Sequence, residues 1–234
     1  MKVYLLGNTP DPDALVAAAA RLCYSDAAAS DLLNRESASL SAKLLKELRL
    51  SGHYSPFEHV SFTFGVDGLS RVASHQLVRH RLASYSQQSQ RYVKMGDGES
   101  GADVIVPPSV AKSREAAELF SRQAKAAGEA YKKLISMGVP AEDARFILPH
   151  GWETRLVLTM NARELHHFFN LRLCRRAQWE IRELARLMLA ECRKAAPVIF
   201  DVTGPSCVTG DCRESRPCGK PYGGMENLLA KKDE

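Results

Sequence analysis

The seven residues from Val60 to Val66 set the first hard limit on the fold. Val60, Phe62, Phe64 and Val66 alternate with Ser61, Thr63 and Gly65. A strand sends successive side chains to opposite faces, so this stretch buries one face and leaves the other more polar. A helix would spread the same four large residues around its axis. Just upstream the period changes. In SLSAKLLKELRLSGH the leucines recur at helical spacing, and Gly52 is a natural stop. A chain that moves between these two periods must pack helices on a sheet, which is an α+β architecture.

The rest of the chain extends the pattern. Lys2 to Leu6 predicts a short strand. Asp11 to Leu22 predicts a helix, rich in alanine and leucine, with Asp11 or Asp13 as its cap. Leu32 and Leu33 begin a second helical region, and Leu40 to Leu50 form a third. Pro56 argues against a helix interior before the strand. Asp67-Gly68 predicts a turn, and Leu69 to His80 a helix. Gly96 to Asp103, GDGESGAD, predicts a flexible loop. Ala111 to Met137 predicts a long helix that Gly128 interrupts only mildly. Pro140 opens a short helix, and Thr154 to Met160 is a further strand. Asn161 and Glu164 have capping-box spacing at the head of the next helix. Ala177 to Ala196 is another helix, ended by Pro197. The expected fold is a mixed sheet with packed helices, the long ones in the second half. Residues 1–203 read as one domain and 204–234 as an irregular tail rich in Cys, Gly and Pro.

Charge narrows the choice of ligand. The formal charge is +5 and the pI about 8.9, which suits an anionic ligand without implying a histone-like surface. A nucleic-acid module would show a basic stripe with stacking aromatics. Here acids such as Asp97, Glu99 and Asp103 interrupt the cations, so no nucleic-acid partner is expected. The start, MKVYLLGNTPDPDA, is too short in apolar residues for a signal peptide. No segment approaches the roughly 18 apolar residues of a membrane span. The expected location is cytoplasmic, with no membrane partner. Of the six cysteines, Cys23, Cys174, Cys192, Cys207, Cys212 and Cys218, only the last three cluster, which argues against a disulfide scaffold.

Four stretches carry candidate chemistry. RHRLASYSQQSQRYVK, Arg79 to Lys94, gathers cations, hydroxyls and amides. Arg79, Arg81 and Arg91 offer forked donors to phosphate or carboxylate. Ser84, Ser86 and Ser89 can orient a ligand, Gln87 and Gln88 can read a base edge, and Tyr92 can cover a ring. The alternative is a solvated basic stretch after a helix. In SGHYSPFEH, His53 and His59 lie six residues apart, which is not a common zinc spacing. A polar pocket wall fits them better. Arg145 and Arg172 lie in apolar contexts, so each needs an anion. Either the protein provides it, through Glu153 or Glu164 for example, or a ligand phosphate does. Cys207, Cys212 and Cys218 are spaced by five and six and lack a CxxC pair, so they read as free thiols more readily than as a zinc site. No metal ligand is assigned. No glycine-rich phosphate loop of either familiar type is present.

The first stretch has a specific form: Arg79-His80-Arg81, seven residues, then Ser89. It resembles the RHR-seven-Ser motif of flavin-dependent thymidylate synthases. SGHYSPFEHVSFTF, VASHQLVRHRLASYSQQSQRY, ARFILP and NARELHHFFNLRLCRRAQWEIRELA resemble segments of the same family in the same order.

The resemblance implies reductive methylation of dUMP to dTMP. The one-carbon donor is 5,10-methylenetetrahydrofolate, and FAD reduced by NADPH supplies the hydride. It also implies the flavin-dependent thymidylate synthase-like fold and a homotetramer with shared active sites. By segment, Ser55, Glu58, Arg79, His80, Arg81 and Asn161 are the implied cofactor-binding residues. Gln76, Gln87, Ser89, Arg91, Arg145 and Arg172 are the implied dUMP-binding residues. Arg172, Ser89, Arg91 and His53 are the implied catalytic set, with His53 near the flavin ring and folate. Ser89 is expected to position substrate, since a serine nucleophile needs a base beside it. Arg91 and Arg172 would stabilise charge developing on the pyrimidine. Gln87 stands where many members carry an acid.

Overall fold

The computed structural model describes residues 1–34, 38–94 and 104–230. In chain order the elements are β1 (Lys2–Asn8), α1 (Pro12–Leu22), α2 (Ala29–Asn34), α3 (Ala38–Leu50), β2 (Ser61–Ser70), α4 (Arg71–Leu77), β3 (Ala83–Gln87), α5 (Pro108–Ala111), α6 (Arg114–Ser136), α7 (Ala141–Ala144), β4 (Glu153–Asn161), α8 (Ala162–Arg172), α9 (Trp179–Ala195) and α10 (Met225–Leu229). Single 3-10 turns cover Ser55–His59, Arg145–Ile147 and Ser206–Val208. The strands form a four-stranded sheet in the order β1-β2-β4-β3. The chain divides into two compact units. The first comprises Met1, Val66–Val78 and Ser86–Leu156. The second comprises Lys2–Gly65, Arg79–Tyr85 and the chain from Val157 onward.

In the second unit, the alternation in β2 becomes burial. Val60, Phe62 and Phe64 are fully enclosed, and Ser61, Thr63 and Gly65 are only partly covered. Phe62 and Phe169 both meet Phe200 edge-on, with centroids 5.4 and 6.0 Å away. Each such ring contributes about 1.5–3 kcal/mol by leaving water. On the other face Thr63 and Thr159 share a hydroxyl hydrogen bond of 2.9 Å between β2 and β4. Asp11 precedes α1 in a left-handed conformation and makes no side-chain cap. Asp13 instead accepts the Val198 and Ile199 N–H groups at 3.1 and 2.9 Å, tying α1 to the turn after α9.

The core of the first unit holds Tyr131, Ala144, Leu148 and Trp152, with Leu134, Ile135 and Val139 packed against them. Gly128 of α6 allows this packing. A Cβ there would lie 3.2 Å from Trp152 Cη2.

Three boundaries differ from the sequence pattern. Asp67-Gly68 is not a turn: β2 runs on to Ser70, with Gly68 accommodating φ 76° inside the strand. The glycine signal was for the positive φ, and strand pairing decided the direction. The helix expected over Leu69 to His80 is α4, Arg71–Leu77. Ser70 Oγ accepts the Ala73 N–H at 3.1 Å and starts it. The helix expected over Ala111 to Met137 is α6, Arg114–Ser136, because Ser113 lies outside helical geometry and its Oγ caps α6 at Ala116. β3 lies within the polar Arg79–Lys94 stretch, where no apolar alternation announces a strand. Beyond Gly204 the chain is irregular apart from one 3-10 turn and α10. The expected loop at 96–103 lies outside the described residues. Among the described residues, no helix is long and apolar enough to cross a membrane.

Candidate active site

Each unit carries its own set of the residues singled out above. In the second unit the set is built on α8. Asn161 Oδ1 accepts the Glu164 N–H at 2.9 Å and caps the helix. The Glu164 carboxylate does something else. It is buried, and its Oε1 lies 2.9 Å from His80 Nδ1. At the last residue of the same helix, Arg172 Nε donates to His80 Nε2 at 3.0 Å.

These contacts fix the tautomer. An arginine Nε–H only donates, so His80 Nε2 must accept, and the ring proton sits on Nδ1, directed at Glu164. Burial lowers the His80 pKa below the ordinary 6.5. The Glu164 hydrogen bond opposes this shift and the Arg172 charge assists it. The ring is therefore neutral at pH 7. Tyr85 Oη donates to the His80 carbonyl at 2.9 Å, and Phe168 packs edge-on to the imidazole at 4.9 Å.

His80, Glu164 and His167 are the one group among the described residues whose ligand atoms come within metal-binding reach, all within 4.8 Å. Both His80 nitrogens are already engaged, one by a guanidinium, which opposes a cation there. Arg79 and Arg81 flank His80 and are exposed, as are His53 and Ser55. Glu58 is half-exposed and pairs with Arg163. A cavity of about 1430 Å³ lies in this unit, lined by Arg49, Arg163 and His166 among others. Cys174, at the end of α8, borders it together with Cys207, Cys212 and Cys218, so a fourth thiol joins the three that cluster in sequence. Burial raises the Cys174 pKa, which keeps that thiol protonated.

In the first unit the set surrounds the end of β3. Gln87 Nε2 donates to Ser74 Oγ and Thr154 Oγ1, both at 3.1 Å. Gln88 N–H pairs with the Arg155 carbonyl at 2.8 Å. Ser89 Oγ then accepts the Arg91 N–H at 3.2 Å and shapes the turn that follows. Arg91 Nε meets Glu142 Oε2 at 2.9 Å, and Arg145 Nε donates to the Glu142 carbonyl at 3.1 Å. Gln76 is half-buried on α4.

Two further residues join these sets. Arg71 has a buried Nε with no hydrogen-bond partner among the described residues. Burial lowers its pKa, and the charge of nearby Arg145 lowers it further. Glu164 was expected as the capping-box acid and as one possible anion for Arg145 or Arg172, and its partner is instead His80. The place of Glu164 directly before Leu165 and four residues before Phe168 was the available signal that it is buried.

The Arg145 charge acts on Arg71, and amides and hydroxyls lie in the same unit, a set of donors of the kind that suits an anion such as a phosphate. A sequence model of the family described as "Thymidylate synthase complementing protein" matches residues 4–198. The chain is 53% identical to a flavin-dependent thymidylate synthase of Geobacter sulfurreducens over 222 residues, covering 94% of each chain. It is 45% identical to one of Clostridium tetani over 237 residues, again covering 94% of each. Its fold matches the UMP/dUMP methylase PolB of Streptomyces cacaoi, solved with 5-Br dUMP, at a TM-score of 0.73 and 28% identity, over 86% of this chain and 93% of that one. The chain belongs to the flavin-dependent thymidylate synthase family.

Proposed function

We propose that this protein methylates dUMP to dTMP, with 5,10-methylenetetrahydrofolate as the one-carbon donor and FAD reduced by NADPH as the source of hydride. The observation that carries this reading is the Arg71–Arg145 pair beside the Ser89 turn. It provides two forked cations where a nucleotide phosphate would relieve both their mutual repulsion and the unsatisfied Arg71 Nε. The 5-Br dUMP bound in the Streptomyces cacaoi methylase structure supports a uridine monophosphate as that anion.

The residues divide the work. Arg71 and Arg145 hold the phosphate, and Ser89 shapes the turn beside it. Gln87 commits its amide N–H groups to Ser74 and Thr154, which leaves its carbonyl oxygen to accept the uracil N3–H. Uracil C5 attacks the methylene carbon only when charge can accumulate on the ring oxygens. Arg172, and Arg91 on release from Glu142, stabilise that charge. Ser89 acts by position.

The residues around His80 fit a flavin dinucleotide. Among the described residues neither Arg79 nor Arg81 has an acidic partner, and both are exposed, which suits a diphosphate. Ser55 and the Asn161 amide add polar contacts, Glu58 holds Arg163, and His53 stands at the same exposed edge. When bound, FAD supplies the hydride that reduces the transferred carbon to a methyl group. We assign the protein to the cytoplasm and to a homotetramer with shared sites.

Purified protein should be yellow, should bleach on addition of NADPH, and should form dTMP when dUMP and methylenetetrahydrofolate are present. A colourless protein that takes up no added FAD and binds no dUMP would overturn the proposal.

A further inference from the structure

We infer that Glu164 and His80 are positioning residues for Arg172. Glu164 sets the His80 tautomer, and His80 in turn fixes the plane of the guanidinium that stabilises the pyrimidine. The inference rests on the thymidylate synthase reading and adds two residues to its machinery.

The argument is geometric. The three groups form a chain of two hydrogen bonds, 2.9 and 3.0 Å long, between residues 84 and 92 positions apart in sequence. The His80 and Glu164 side chains are 3% and 6% exposed, so water does not compete for either. A neutral imidazole has two tautomers of similar intrinsic energy. In one, Nε2 carries a lone pair and accepts from Arg172. In the other, Nε2–H faces Nε–H, two donors meet, and the arginine is turned away. A buried carboxylate at Nδ1 selects the first. The Nε–H bond lies in the guanidinium plane, so holding it removes rotation about Cδ–Nε and leaves the other nitrogens directed one way. The Tyr85 hydrogen bond to the His80 carbonyl and the Phe168 ring against the imidazole hold the middle member from both sides. This explains why the acid at the third position of α8 is turned into the protein, away from the helix terminus that its spacing would serve. It also gives His80 a task within the protein, with both nitrogens spent before any cofactor arrives.

The test compares Glu164→Ala with Glu164→Gln. The glutamine carbonyl still accepts from Nδ1–H, and alanine offers nothing. Partners that orient a working side chain typically contribute about 10–100-fold. We expect Glu164→Ala to lower kcat for dTMP formation by about that factor, while the Kd for dUMP changes less than about threefold, because the phosphate contacts are untouched. Glu164→Gln should recover most of the rate. Nitrogen-15 NMR of histidine-labelled protein without substrate gives an independent reading. His80 should show a protonated Nδ1 and a bare Nε2 in the wild type and in Glu164→Gln, and a mixture of tautomers in Glu164→Ala. Equal kcat in the alanine variant, or a wild-type His80 that carries its proton on Nε2, overturns the inference. If Glu164→Ala does not fold, the wild-type tautomer and the Glu164→Gln rate decide it. A wild-type protein that makes no dTMP yet shows the expected tautomer refutes the proposed reaction and leaves the hydrogen-bonded chain standing.

Discussion

Arg145 stands close enough to Arg71 to disfavour its charge, and Arg71 Nε is buried among the described residues with no hydrogen-bond partner. Evolution of a stable core would not place two guanidinium groups this way, since like charges at short range in a partly dry setting repel. An anionic ligand would resolve the arrangement. Arg71→Met and Arg145→Met should each weaken dUMP binding about 10–100-fold, or about 1.4–2.7 kcal/mol. The Arg71→Met protein should be at least as stable as the parent, because a repelled cation is removed. Calorimetric titration with dUMP and thermal melting measure the two halves. Unchanged affinity in both variants would show that the phosphate binds elsewhere.

Gln87 holds the hydroxyls of Ser74 and Thr154, both buried. Gln87→Leu should lower stability by about 1–2 kcal/mol, because those oxygens lose their shared donor. Gln87→Glu should cost less than the leucine change, since hydroxyls can rotate to donate to a carboxylate. Urea denaturation of the three proteins gives the order, and an equal loss in both variants would contradict it.

His166 is enclosed by rings. It stacks on Phe200 at 5.2 Å and meets Tyr54 and Phe57 at 5.6 Å each. Burial pushes its pKa down from the ordinary 6.5 to about 3, and the Arg49 charge adds to the shift. Below pH 6.5 the unfolded chain binds a proton that the folded ring refuses. The stability due to neutral His166 is therefore complete above 6.5 and is lost as the pH falls toward 3. One proton corresponds to about 1.4 kcal/mol per pH unit at most. His80 shifts in the same direction and adds to the loss. His166→Phe should flatten the decline in stability between pH 6.5 and 4, and denaturation across that range checks the slope.

Gly128 faces Trp152 across a gap that a Cβ would narrow to 3.2 Å. Alanine gains about 1 kcal/mol of helix propensity over glycine, and the crowding takes some of it back. Gly128→Ala should thus be close to neutral. Gly128→Val should cost about 1–3 kcal/mol by overpacking a fully enclosed indole. Thermal melts of both variants test this, and a valine variant as stable as the parent would mean that Trp152 can move.

Much of this molecule is legible without coordinates. Val60, Phe62, Phe64 and Val66 alternate and are buried as that alternation demands. The leucine spacing of α3, the cap at Asn161, and the family motif are all short-range patterns. Each depends on residues within one or two turns of each other, and local sterics and hydrogen bonding act over that distance. By itself the chain also shows which residue types could take an anionic nucleotide, because arginine forks and amides suit the shape of phosphates and bases.

What tertiary structure decided is which partner each of those groups meets. No pattern announces that Glu164 lies against His80, 84 positions away, or that Arg172 reaches the same ring from 92. The strand that runs past Asp67-Gly68 shows the same thing for the backbone, since a neighbouring strand outweighed a local turn signal worth less than its hydrogen bonds. For Arg71, only the fold shows that its Nε is buried and that the charge of Arg145 acts on it from 74 positions away. Burial and long-range contact set the cost of an unpaired charge and the value of a paired one, and both arise only when distant segments are brought together.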